Sequence, residues 1–297
     1  MTKICDNPFE QEGVWLKGNT HTHTTRSDGK VEPETRLRQY RDHGYDFLAI
    51  TDHLKIFDSN ENPFEDLVVI NSLEFHPHHP KSMSGDWHFI ALDVKHEPER
   101  ISTDISAQIQ VNRFKEQGAY MILCHPYWCG FTREEMKMIK GIDAIEVYNS
   151  VCEKLTGKGD SSSELDSLLL AGDRPHAIAA DDCHETDECF GGWINVKAKS
   201  KDKDSIMDAI KRGAYYSSCG PEFKNIEFRD GELRVECSDV QKISFISKAQ
   251  RGQQIKAKEA PLSFASIELK KLNGFVRIQI EDEKGRRAWS QAYVLDQ

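Results

Sequence analysis

The sequence predicts an α/β protein, built either as a barrel or as a doubly wound sheet, with a small β unit appended at its C-terminal end. Three observations carry this. Short apolar runs alternate with amphipathic helical stretches over about the first 220 residues. The runs are nearly continuous in apolar character, as expected of parallel strands covered on both faces. From about residue 222 the helical windows give out.

The first run, 14–19, leads to a helix over 33–43. Pro33 suits its first turn, where the backbone N–H has no intrahelical partner, and Gly44 suits the position just past its end. Strand runs follow at 45–51, 67–73 and 87–94. A helix over 103–117 precedes a strand at 119–124, and a short helix over 133–140 precedes one at 142–148. The helix over 163–171 leads to a strand at 176–180, and 204–212 is the last helix. Beyond it, 223–228, 233–237, 242–247, 263–269 and 275–280 read as short strands, with Asp230-Gly231 as a hairpin turn and a last segment over 288–295. The expected division is 1–221 for the α/β unit and 222–297 for the β-rich unit.

Charge narrows the function. The chain carries 39 Lys+Arg against 49 Asp+Glu, a formal charge of −10, and no basic cluster. Long nucleic acid and anionic membrane surfaces need a cationic footprint, so neither is an expected partner. The longest charge-poor apolar stretch, 119–132, contains His125 and is too short to span a bilayer, and residues 1–10 lack an apolar signal core. The expected location is cytoplasmic. The eight cysteines, Cys5, Cys124, Cys129, Cys152, Cys183, Cys189, Cys219 and Cys237, show no CxxC spacing and read as free thiols.

Histidine is the informative residue. Just after the first strand come His21-Thr22-His23 and then Asp28; after the second, Asp52-His53; after the third, Glu74. Later runs end at His125-Pro126 and at Asp182-Cys183-His184, and His88 opens its own run. Strands of an α/β fold deliver their carboxyl ends to one rim, so residues distant in sequence converge there. In His21-Thr22-His23, alternate residues of an extended chain point the same way, and both imidazoles reach one ion. Mixed imidazole and carboxylate donors suit Zn²⁺, Mn²⁺ or Fe²⁺ better than Ca²⁺ or Mg²⁺. With Asp52 set aside as a supporting residue, nine donors exceed the four of one tetrahedral ion, which implies two or three. Asp28, Glu74 and Asp182 supply three negative charges, outweighed by three divalent ions, so the pocket favours a small anion such as a phosphate ester.

These segments together resemble a known family. Gly18-Asn19-Thr20-His21-Thr22-His23 through Ser27-Asp28-Gly29, then Ala49-Ile50-Thr51-Asp52-His53, Glu74, His125-Pro126 and Asp182-Cys183-His184 are similar to the PHP (polymerase and histidinol phosphatase) family of metal-dependent phosphoesterases, over about residues 14 to 220. The resemblance implies a distorted (β/α)7 TIM-like barrel, here with the small C-terminal β appendage. It implies that His21, His23, Glu74 and Asp182 hold one ion. Glu74 bridges to a second ion completed by His88 and His125, and Asp28, His53 and His184 hold a third. His88 is preferred to His76, His78 and His79 because Trp87-His88-Phe89-Ile90-Ala91-Leu92 matches the family's His-apolar strand. Asp182 is preferred to Asp181 by its spacing to His184, and Asp52 is set aside as a supporting residue.

The expected reaction is hydrolysis of a phosphomonoester, cyclic phosphate or nucleotide by a hydroxide bridging two ions. Arg26 is the candidate phosphate clamp, since a guanidinium binds bidentately, and His184 is a candidate proton donor to the leaving group. Neither GxSxG nor GxGxxG occurs. Two alternatives keep the metals: a carbamate, amide or ester hydrolase, and a non-catalytic metal-stabilised module. The β appendage is expected to pack on the barrel or on a neighbouring subunit of a homo-oligomer.

Overall fold

The computed structural model describes residues 6–78, 85–96 and 101–295. The first part runs β1 (Val14–Asn19), α1 (Pro33–Asp42), β2 (Phe47–Ala49), β3 (Val68–Ile70), β4 (Ser72–Phe75), β5 (Phe89–Leu92), α2 (Ala107–Glu116), β6 (Tyr120–Leu123), α3 (Pro126–Cys129), α4 (Arg133–Met136) and β7 (Ala144–Asn149). It continues with α5 (Ser150–Thr156), α6 (Ser162–Leu170), β8 (His176–Ala180), β9 (Trp193–Ala198), α7 (Lys203–Lys211) and β10 (Tyr215–Ser218). The C-terminal part adds β11 (Phe223–Arg229), β12 (Glu232–Val240), β13 (Lys242–Ser247), β14 (Gly252–Lys256), β15 (Leu262–Glu268), β16 (Phe275–Glu281), β17 (Arg287–Trp289) and β18 (Tyr293–Val294).

The fold is α/β with mixed sheets. Strands β4 to β8 form one sheet in sequence order; a second follows the path β14-β13-β16-β17-β10-β9-β1-β2-β3, with β18 on β16; β11, β12 and β15 form a third. The triplets β1-β2-β3 and β6-β7-β8 are parallel, as expected. Strand β5, however, is antiparallel to both its neighbours, and β9 is antiparallel to β1. The all-parallel expectation fails because continuous apolar character reports burial of both faces and not strand direction. In β5, Ile90 and Leu92 face one core while Phe89 and Ala91 face another.

Among the described residues no ladder closes a ring, so a closed TIM-like barrel is not seen. The first two sheets adjoin through single parallel bridges, Thr22 with Cys183 and His53 with Glu74. These bridges lie where the strands end, and they draw the ends of both sheets to one rim.

Some expected elements are shorter or divided. The 67–73 run splits at Asn71 into β3 and β4, and the 133–140 helix is a single turn, α4, held by a capping box between Thr132 and Glu135. Strand β10 pairs with β17, so the second sheet runs across residue 221 into the C-terminal part. Phe275 and Trp289 share a core with Leu73 and Leu165. Among the described residues no helix is long and apolar enough to cross a membrane.

Candidate metal centre

Just past β1 come His21 and His23, both fully buried. The following loop turns back on itself, and a Cβ at Gly29 would stand 2.6 Å from the His23 carbonyl carbon, so this close approach requires glycine. Asp52 secures the same loop. Its carboxylate accepts from the Thr24 backbone N–H at 2.8 Å, the Thr24 hydroxyl at 2.5 Å and the Ser27 hydroxyl at 2.6 Å. Asp52 thus serves the scaffold.

Four buried donors meet at the rim. His21 Nε2 lies 3.1 Å from His23 Nε2, 3.2 Å from Glu74 Oε2 and 3.1 Å from Asp182 Oδ1. His23 Nε2 lies 3.2 Å from Glu74 Oε2 and 3.1 Å from Asp182 Oδ1. Donors about 2.0–2.1 Å from a tetrahedral ion stand roughly 3.3 Å from one another, so these edges match a cage for one ion.

A second group adjoins it. Asp28 Oδ2 is 3.4 Å from both His53 Nε2 and His184 Nε2, and Asp28 Oδ1 is 3.6 Å from His23 Nδ1. The Nδ1 atoms of His23 and His53 are buried without a hydrogen-bond partner, a cost that a bound cation nearby would offset. The donor set and its orphaned nitrogens fit divalent metal ions.

The remaining expected ligands are near but less closely gathered. His88 Nδ1 reaches the other Glu74 oxygen, Oε1, at 2.7 Å, and His125 Nε2 is 3.9 Å from Asp182 Oδ2. Cys124, expected to be a free thiol, lies with Glu74 and His125 in a third group whose donor atoms are all within 4.8 Å of one another. His76 stacks at 5.9 Å from His88, while His78 points elsewhere, to Asp86. His79 lies outside the described residues.

The backbone is strained at two of these positions. Asp182 has φ 61° and His125 φ 28°, values disfavoured for residues with a Cβ. Such strain persists only where the surroundings impose it, and it gathers at functional sites. At Asp182 it separates two neighbouring carboxylates. Asp182 turns to the histidines, whereas Asp181 turns to the backbone N–H groups of Phe190, Gly191 and Gly192 at 2.7–2.9 Å and to the Tyr40 hydroxyl at 2.6 Å. Burial pushes the Asp181 carboxyl up to about 6 against those hydrogen bonds.

Sequence reasoning missed Glu146. It is fully buried on β7, with Oε1 accepting from His21 Nδ1 at 2.6 Å and Oε2 accepting from the His125 backbone N–H and from Asn149 Nδ2, both at 2.9 Å. Glu146 thereby holds a proton on His21 Nδ1, so Nε2 is the nitrogen that faces the cage. The signal was present: an acidic residue inside the apolar run 142–148 needs a partner. Glu146→Gln is expected to weaken metal affinity by about 10–100-fold, the usual cost of losing such a support, measured by competition with a chelator.

Electrostatics favour a cation. Burial alone would raise Glu74, but the charge of His21 and hydrogen bonds from His21, His23 and His88 hold it well below its ordinary value. Asp28 is held well below the carboxylate range by hydrogen bonds from His184 and His53. Burial opposes charge on His23, yet hydrogen bonds with Asp182 and Glu74 push it up to about 9. A raised histidine contributes stability that is complete below its unfolded value near 6.5 and is lost as pH rises toward 9. The chelator-stripped protein is therefore expected to melt at a lower temperature at pH 8.5 than at pH 6.5. The lowered carboxylates do not interfere, since their contributions are lost only in acid. Metal must displace those protons, so its affinity is expected to rise over the same interval.

Two further placements matter. Arg26 grips Glu61 with both ends of its guanidinium, Nη1 donating to Oε1 at 2.9 Å and Nη2 to Oε2, and lies 4.9 Å from the Phe57 ring centre. Cys183 and Cys189 are joined in a disulfide, which corrects the expectation that all the cysteines are free. The left-handed turn at Asp182 and the 3-10 turn Thr186–Glu188 bring their Cα atoms to 5.2 Å, a proximity that the spacing alone does not reveal. Cys124, Cys129, Cys152, Cys219 and Cys237 are free and buried.

No protein-family model matches the chain, and no curated protein matches it. Solved structures do. A two-domain protein from Bacteroides vulgatus containing a predicted PHP-like metal-dependent phosphoesterase superposes with a TM-score of 0.54 at 16% identity, over 98% of this chain and 97% of that one. The lesion-specific endonuclease PfuEndoQ from Pyrococcus furiosus gives 0.47 at 14% identity, over 67% and 56% of the two chains. An amidohydrolase from Chromobacterium violaceum gives 0.41 at 12%, over 57% and 87%. The class is thus an α/β fold shared with a PHP-like protein. The likeness in fold to that two-domain protein extends over nearly the whole chain.

Proposed function

We propose that the chain is a metal-dependent hydrolase of phosphoric ester bonds, acting on a small phosphomonoester, cyclic phosphate or nucleotide with two or three Zn²⁺, Mn²⁺ or Fe²⁺ ions. The observation that carries this is the buried meeting of His21, His23, Glu74 and Asp182 donors at 3.1–3.2 Å, continuous through His23 with Asp28, His53 and His184. Bound ions supply Lewis-acid polarisation of a phosphoryl oxygen and an activated water.

The chain's own residues arrange the rest. Glu146 orients His21 so that Nε2 faces the cage, and the 2.8 Å contact of His184 Nδ1 with the Asp182 carbonyl turns His184 Nε2 toward Asp28. That placement makes His184 a ligand before it is a proton donor. Three divalent ions would outweigh Asp28, Glu74, Asp182 and Glu146, and the net positive pocket would then attract an anion. Arg26 is the proposed clamp, exchanging the Glu61 carboxylate for phosphoryl oxygens of similar bidentate geometry. The chemistry is assigned to 1–221, with 222–297 as a β unit packed on it. The fold shared with a predicted PHP-like phosphoesterase supports phosphorus over carbon as the atom attacked.

The test is a substrate screen for released phosphate, run with Mn²⁺ and Zn²⁺ separately and with carboxylic esters and amides in parallel. Phosphate release that stops on chelation is the expected result. Turnover of carbon substrates alone, indifferent to inorganic phosphate, would overturn the assignment.

A further inference from the structure

Cys183 stands between two of the proposed ligands, Asp182 and His184, and its bond to Cys189 closes the loop that carries His184 over the second donor group. The loop is held at other points as well: the Lys30 backbone N–H donates to the His184 carbonyl at 3.0 Å, and Gln39 Nε2 donates to the Thr186 hydroxyl at 3.3 Å. His184 and Glu185 donate backbone N–H groups to Glu188 inside the loop, at 2.9 and 2.8 Å, and Lys154 reaches Asp187 from outside at 2.7 Å. Beneath the disulfide lies Arg36, fully buried, with Nη1 at 3.0 Å from Cys183 Sγ and 2.7 Å from Cys189 Sγ. The same guanidinium donates to the carbonyls of His184 at 2.8 Å and His23 at 3.2 Å. One buried cation thus ties the two sulfurs to the backbone of two proposed ligands. Cys183 is buried, and Cys189 is partly open to solvent.

We propose that Cys183 and Cys189 are a reversible thiol–disulfide modification site that latches the His184 loop, so that their redox state sets whether the Asp28, His53 and His184 group is assembled. The inference rests on reading that group as a metal site. The partner chemistry is a small thiol, RSH, and its disulfide, RSSR. The RS⁻ form attacks the accessible Cys189 sulfur; the protein S–S bond breaks, a mixed disulfide forms on Cys189, and Cys183 leaves beside Arg36 and takes up the proton lost by the attacking thiol. A second RSH attacks the mixed disulfide, releasing RSSR and the Cys189 thiol. Two thiols are oxidised and one protein disulfide is reduced; RSSR reverses the sequence. In reducing compartments such pairs act as sensors and not as permanent staples.

The experiment uses the full chain treated with dithiothreitol or with its oxidised cyclic form, the reagent then being removed under argon. Peptide mass mapping reads the gain or loss of two hydrogens at Cys183 and Cys189. Hydrogen exchange of the chelator-stripped protein reads the loop, and Mn²⁺ titration reads the site. Reduction is expected to speed exchange over 183–190 by about tenfold or more and to weaken the most weakly held Mn²⁺ by about 10–100-fold, both restored on reoxidation. Cys189→Ser should reproduce the reduced state without reductant, and reversible reduction of the unaltered chain serves if that variant fails to fold. Free, alkylatable thiols at both positions after oxidation, or unchanged exchange and Mn²⁺ affinity on reduction, would overturn the latch. Exchange that responds in a protein binding no Mn²⁺ in either state upholds the latch and overturns the metal reading instead.

Discussion

Replacing Asp182 with alanine is expected to lower kcat/KM for phosphate release by about three orders of magnitude, equivalent to about 4 kcal/mol of transition-state stabilisation. Asp182 Oδ1 lies 3.1 Å from Nε2 of both His21 and His23, and Oδ2 accepts from Asn149 Nδ2 at 3.2 Å. Losing it removes one edge of the four-donor cage and one of the charges that draw the ion. Metal analysis of the purified variant should show fewer ions per chain, and phosphate release should fall with them. Asp182→Asn keeps the side-chain shape and tests the charge by itself. Unaltered turnover in both variants would refute the site.

Asp166→Ala is expected to cost about 3 kcal/mol of folding stability, the lower end of the range for breaking one side of a buried ion pair. Arg277 on β16 is 1% exposed, and its Nε and Nη2 donate to the two Asp166 oxygens on α6 at 2.6 and 2.7 Å. Removing the carboxylate leaves a buried guanidinium whose remaining acceptor among the described residues is Gln279, at 3.0 Å. The lower figure is chosen because the Asp166 side chain remains 28% exposed, so water moderates the loss. Urea denaturation measures it, and Asp166→Ala combined with Arg277→Met should recover most of the stability. An unchanged midpoint in the single variant would show that the pair is already solvated.

Much of the site was legible because its residues obey a positional rule. His21, His23, His53, Glu74, His125 and Asp182 each follow a strand run, and the structure brings them to one rim. The resemblance to the PHP family rested on that set, and the fold shared with the Bacteroides vulgatus protein agrees with it. His88 was chosen from the apolar strand behind it, and it does lie against Glu74. Glu146 escapes that rule because it sits inside its strand and not at the end.

By itself the sequence determined the α/β alternation, the rim on which the donors collect and the net charge of −10. These follow from local pattern, since apolar runs and the residues that end them are written in chain order. The tertiary structure alone decided the reversed direction of β5, the continuation of the β10 sheet into the C-terminal part, the turn that aims Asp182 at the histidines while Asp181 holds the backbone, and the joining of Cys183 to Cys189. Each depends on which segments lie side by side and on the local φ that turns a side chain one way or the other, and neither is encoded in a residue's type or its spacing.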